Sequence, residues 1–272
     1  MSAQPARITA IVLGVIALVT GGVWIGQGLN LIPGSFMTGN RMWFYIGVVL
    51  AIVGSVLLVV GIVAGYLIVR AGPTWFYAIM PEGLANGRDP TASAQALRET
   101  IYTRKEEMLA TFATALFTNN AQVAIFSFAL GFAFAVPTAL LLVYNGLMLG
   151  ALHAVFVAKG LGFGFAGWIA IHGTTELFAI ALAGGAGFRI GTAIAFPGRL
   201  SRMDAATAAG RQAAALMAGA VVMLAIAGLL EGIGRQTVLG DVPRYAIGGA
   251  MLAGWLLYLY VPRGTHDAAA LA

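Results

Sequence analysis

Long apolar runs alternate along the chain with short polar interruptions. The runs fall at about residues 8–29, 43–69, 108–136, 138–158, 166–188, 212–233 and 244–261. At about 1.5 Å rise per residue, roughly twenty residues cross a hydrocarbon core of about 30 Å. The pattern therefore predicts an all-α, polytopic transmembrane helical bundle of six or seven spans, some of them interrupted. The count is seven if 138–158 crosses completely and six if it only dips into the bilayer. The first run follows Arg7 and resembles a signal peptide. It is longer than such a segment and no clean small-x-small site follows it, so it reads as an uncleaved first span.

The polar positions divide the chain into four parts. Residues 1–66 form a two-helix N-terminal membrane segment. Residues 67–107 are the only sizeable polar stretch, where "PEGLANGRDP" reads as a loop and "TASAQALRETIYTRKEEM" predicts a short surface helix capped by Thr91 or Ser93. Residues 108–235 are a transmembrane core with polar breaks, and 236–272 carry an additional helix and a tail. No repeat of 20–50 residues is present.

Composition makes the membrane assignment firm. The chain is 60% hydrophobic and 9% charged, with mean hydropathy +0.90, against about 45–50% and about 25% in soluble domains. Its first partner is the lipid bilayer. The absence of cysteine excludes disulfides and thiolate metal sites. The net charge of +5 comes from Lys and Arg sitting mostly in loops, the distribution that membrane insertion produces. No basic patch interleaved with aromatics exists to read bases, so nucleic acid is not a partner. With seven crossings and an outside N-terminus, the 189–211 segment, with Arg189, Arg199, Arg202 and Arg211, is cytoplasmic and the 70–107 segment external. If 138–158 only dips, both are cytoplasmic.

The candidate chemistry lies in the breaks: Asn119-Asn120, Asn145-Gly146, and His172-Gly173 followed by Glu176. A charged group at mid-helix costs about 2.5–3.5 kcal/mol on insertion scales, so these groups are expected to face one another inside the bundle. His172 and Glu176 are four residues apart, on one helix face, and suit an imidazole–carboxylate hydrogen bond. Such a pair serves as a polar clasp that sets helix register, or as a proton or ion relay. A metal reading would use His172, Glu176 and His153 as a His₂Glu set. The order H-x-x-x-E is not that of zinc proteases and His153 stands apart, so no metal or other cofactor is assigned. Gly187 and Gly191 form a G-x-x-x-G pair. With Gly184 and Gly185, and with Gly146 and Gly173 in the other breaks, they are expected to let helix backbones approach closely. Glu231 near a helix end suits a rim salt bridge to Arg235. Ser127 and Ser201 lack His or Asp companions, so no catalytic residue is assigned and an enzyme is not expected; an intramembrane metalloenzyme is the exception kept open.

The segments "FTNNAQVAIFSFALGFAF" (117–134), "YNGLMLGAL" (144–152), "HGTTELFAIALAGGAGFRIG" (172–191), "PGRLSR" (197–202) and "AGLLEGIG" (227–234) resemble the stage II sporulation protein M family of membrane proteins. With "GYLIVRAGPTWFYAIMP" (65–81), the resemblance covers about residues 65–235, and Asn119, Asn120, Asn145, Gly146, His172, Gly173, Glu176, Gly184, Gly185 and Gly187 fall on its motifs. It implies a multi-pass protein of the cytoplasmic membrane. It further implies a non-enzymatic scaffold or anchor for cell-envelope partners such as peptidoglycan-degrading enzymes. A homo-oligomer is compatible with this. The rival reading is a small-solute or proton-coupled transporter with a mid-membrane His172/Glu176 site. Residues 8–66 resemble instead a small two-span membrane protein of unknown function.

Overall fold

The computed structural model describes residues 41–103, 109–234 and 237–260. The first apolar run, Arg104 to Glu107, Arg235 and His266 lie outside them. The chain divides into two compact units, residues 1–46 with 256–272, and residues 47–255. Of the first, the described residues are two helix ends, 41–46 and 256–260. The second holds the bundle.

Among the described residues every regular element is helical. The long helices are α1 (Arg41–Ala71), α3 (Leu109–Ala129), α4 (Val136–Ala158), α5 (Gly162–Ala195), α6 (Arg202–Leu229) and α7 (Asp241–Tyr260), with the short α2 (Ala94–Tyr102) between α1 and α3. Among the described residues, four stretches are long and apolar enough to cross a membrane: Ala51–Ala71, Val136–Ala158, Gly162–Ala195 and Arg202–Gly234. The boundary between α3 and α4 is sharp. Phe134 and Ala135 take φ of 59° and 61°, a left-handed conformation that costs non-glycine residues about 1–2 kcal/mol. Pro137 in the first turn of α4 then favours a fresh helix start.

α5 is the hub, packed against α3, α4 and α6. Every residue from Phe178 to Gly187 is buried, so this stretch is surrounded on all sides, which is why it is built from Ala, Gly, Ile, Leu and Phe. α5 runs for 34 residues, about 50 Å. It is longer than the bilayer core, and its arginine-bearing end stays helical. The segment expected as a loop over 189–211 therefore reduces to residues 196–201. There Ser201 caps α6, its hydroxyl accepting from the Asp204 amide at 3.1 Å and donating to the Asp204 carboxylate at 2.7 Å.

α1 shows how helices pack where water supplies no driving force. Its buried positions are Ala51, Gly54, Leu58, Gly61, Gly65 and Val69, at helical spacing, while Val56, Val59, Val63 and Leu67 face outward. A Cβ on Gly61 would run into the carbonyl oxygen of Val143, and one on Gly65 into that of Leu147. Reciprocally, Gly146 and Gly150 of α4 sit against the carbonyls of Leu58 and Ile62. Two G-x-x-x-G pairs thus interlock, and their matched order makes α1 and α4 parallel. Gly54 meets the Ala181 carbonyl of α5 in the same manner. Such backbone contact maximises dispersion and carbonyl–CH contacts between helices in lipid.

The polar stretch after α1 is folded onto the bundle. Phe76, Met80, Ala85, Leu97 and Ile101 form one core with Ala151, Val155 and Phe156 of α4 and Phe165 and Trp168 of α5. Ser93 caps α2, accepting from the Ala96 amide at 3.1 Å. Thr91 instead serves a turn closed by Asp89, whose carboxylate accepts from the Thr91 amide at 2.7 Å and its hydroxyl at 2.6 Å.

Candidate functional site

α5 and the end of α6 bring three ionisable side chains together. α6 passes at Leu230–Gly234 into a single π-helical turn, a widened backbone that often marks functional positions. Glu231 lies on that turn and is 3% exposed; His172 is 5% exposed. The His172 Nε2 and a Glu231 carboxylate oxygen are 3.8 Å apart. One ligand atom each from His172, Glu176 and Glu231 lies within 4.8 Å of the others. Trp168, one turn earlier on α5, meets the His172 ring edge to face, with centroids 6.5 Å apart. Ile171 touches the position where a Gly234 Cβ would stand. The cluster is therefore an imidazole and two carboxylates beside the Trp168 ring, with Glu176 partly exposed.

This departs from the sequence reading in two respects. Glu231 is not a rim residue but the third member of the core cluster. Its register shows why: Ala220, Leu224, Ala227 and Glu231 follow one another at three- and four-residue steps along one buried face, a face that the uniformly apolar sequence before Glu231 does not mark. His153 takes no place in the cluster. Its ring lies between Tyr66 and Phe165, with centroids 5.9 and 5.8 Å away, as an aromatic member of the core.

The amides are distributed differently. Asn119 donates its side-chain amide to the Asn120 carbonyl at 3.2 Å, with Asn120 buried. Asn145 is half-buried on α4 and makes no hydrogen bond with those two or with the cluster among the described residues. The glycines differ too. Gly187 stands against the Ser127 carbonyl, and Gly191 against Ala135 and the Gly131 carbonyl, so their G-x-x-x-G pair seats the α3–α4 junction. Gly184 faces the Leu142 side chain and Gly185 is buried. Among the described residues, a Cβ on Gly173 would meet only Ile169 of its own helix within 4 Å.

A second polar cluster, not anticipated, ties α2 to α7. Arg244 is fully buried and donates to the Ile101 carbonyl at 2.6 Å, the Val238 carbonyl at 2.9 Å and Asp241 at 3.3 Å. The Tyr102 hydroxyl donates to both Asp241 oxygens, at 2.9 and 3.1 Å, and the Arg244 guanidinium lies 5.1 Å from the Tyr102 ring centroid. Burial raises the Tyr102 hydroxyl above its ordinary value, and the Asp241 carboxylate adds in the same direction. Tyr102 stands 139 residues from Asp241 and no local pattern pairs them, so its contact with Asp241 and Arg244 was invisible in sequence.

An all-helical membrane protein with a glycine-locked core and a buried histidine–carboxylate cluster is the class these features define. The family model for stage II sporulation protein M matches residues 54–234, well over half of the chain, and the chain belongs to that family. The match begins within α1, includes its three close-packing glycines, and ends on the π-turn, leaving α7 outside. Comparison with curated proteins and with solved structures returns no match.

Proposed function

We propose that this protein is a non-enzymatic scaffold of the cytoplasmic membrane, a multi-pass bundle of six or seven spans that recruits cell-envelope partners, peptidoglycan-degrading enzymes among them. The observation that carries the reading is the folded segment 73–102. Its Phe76, Met80, Ala85, Leu97 and Ile101 are sunk into the end of the bundle, while Glu82, Asn86, Thr91, Gln95, Arg98 and Glu99 turn outward with Trp75 and Tyr77. A docking surface held rigid before the partner arrives loses less entropy on binding. The Arg244 clasp and the backbone-contact packing of α1 on α4 support such rigidity. Family membership agrees with the reading.

Cross-linking in native membranes, with mass-spectrometric identification of captured proteins, tests it. Reversing the exposed charges (R98E with E99K) is expected to release envelope partners at unchanged protein level. Replacing Glu176 by Gln is expected to leave capture intact. The reading fails if the charge-reversed protein captures the same set.

One observation favours a second reading. Buried ionisable groups in a membrane bundle mark ion and proton paths by default, and His172, Glu176 and Glu231 form such a group. A transporter of this kind would show pH-dependent flux in liposomes that E176Q eliminates.

A further inference from the structure

We propose that His172, Glu176 and Glu231 bind one divalent cation of borderline character, with zinc the best fit. The donors are one imidazole nitrogen and two carboxylates, a set that suits zinc or manganese. They come from two rigid elements: residues i and i+4 of α5 and the π-turn that closes α6. Their ligand atoms lie within 4.8 Å of one another. A cation bound at about 2.0–2.1 Å in tetrahedral geometry holds its ligands about 3.3 Å apart. Closing that difference needs only small side-chain rotations, because glutamate has three flexible torsions and the backbones are already in place.

Electrostatics point the same way. Two buried carboxylates at this distance repel unless a proton is held between them, His172 carries one as imidazolium beside Glu231, or a metal cation intervenes. A divalent ion neutralises both and accepts the imidazole lone pair. Apolar side chains flank the donors, Trp168 against the His172 ring and Ile171 against Gly234 of the π-turn. Bound there, the metal staples α6 to α5. This inference does not rest on the scaffold reading, since it concerns uptake by the purified chain and either can fail without the other.

The test uses the full chain purified in detergent, stripped with chelator and then given zinc chloride. The expected result is about one tightly held zinc per chain after desalting, and a thermal midpoint that rises with zinc concentration. H172Q, E176Q and E231Q, each removing one of the three ligands, are expected to lose both effects. H153Q, altering an aromatic contact only, is expected to retain both. Because a core variant can misfold, a second measurement on the unaltered chain is included: cobalt loading should give visible absorption with nitrogen and oxygen ligation, displaced by zinc. The proposal is overturned if the unaltered chain takes up no stoichiometric metal. It is equally overturned if H172Q and E231Q, folded by circular dichroism, bind as the parent does; stability of the stripped chain that zinc does not alter would assign a shared proton instead.

Discussion

Arg244 illustrates how a single side chain can hold two distant segments. Its guanidinium is the donor for two backbone carbonyls and one carboxylate, and it is wholly buried. Removing it leaves the Ile101 and Val238 carbonyls and Asp241 without that donor. Arg244→Ala is therefore expected to cost about 3 kcal/mol and to lower the thermal midpoint in detergent. Arg244→Lys should recover only part, because an ammonium cannot span three acceptors fixed in a plane. Asp89 is a smaller case whose sign can be worked out. The hydroxyl and amide of Thr91 hold its carboxyl below the ordinary 3.8. A depressed carboxyl stabilises the fold above its unfolded pKa, and that contribution disappears as pH falls through the folded value. The protection factor of the Thr91 amide in hydrogen exchange should accordingly fall below about pH 3.8. Asp89→Asn should remove that pH dependence. The site is near the surface, so solvent screening keeps the global effect small.

Among elements, the α1–α4 contact is set by glycines whose hydrogens face opposing carbonyls. Gly61→Ala or Gly146→Ala places a methyl where Val143 or Leu58 presents backbone oxygen, and backbone cannot rotate away as a side chain can. Each is expected to destabilise by about 1–3 kcal/mol. The pair should be less than additive, since the first methyl already separates the helices. Gly210→Ala is the counter-case. Nothing among the described residues lies within 4 Å of its Cβ position on α6, so the substitution should gain up to about 1 kcal/mol from helix propensity. Thermal unfolding of the three variants side by side checks the contrast. The pattern on α1 was legible once burial is known, but Gly54, Gly61 and Gly65 read from sequence as unremarkable members of an apolar run. In lipid, the inward face is marked by small size and not by hydrophobicity, so the usual polar-against-apolar contrast is missing.

For the molecule as a whole, the order of packing separates the two arginine-bearing segments. Tyr102 stands at Gly164 near the start of α5, whereas residues 196–201 follow its end. If α5 crosses the bilayer, a tag near Glu82 and a tag near Arg199 should label from opposite faces of the membrane. The same-side arrangement, with 138–158 only dipping, predicts labelling from one face. α4 runs for 23 residues alongside α1, long enough to cross, which favours the first outcome.

Hydropathy, read without coordinates, determined the helical class and most helix positions and narrowed the cap of α2 to Thr91 or Ser93, because each depends on neighbours within a turn or two. The family motifs marked His172, Glu176 and the 184–191 glycines for the same reason: they are local strings. Tertiary structure alone decided that Glu231 completes the cluster, that His153 stays out of it, that Arg244 reaches back to Ile101, and that the polar stretch is a docked cap. These depend on which helix faces meet, and one-dimensional spacing carries no record of the distance between residues that folding brings together from opposite halves of a chain.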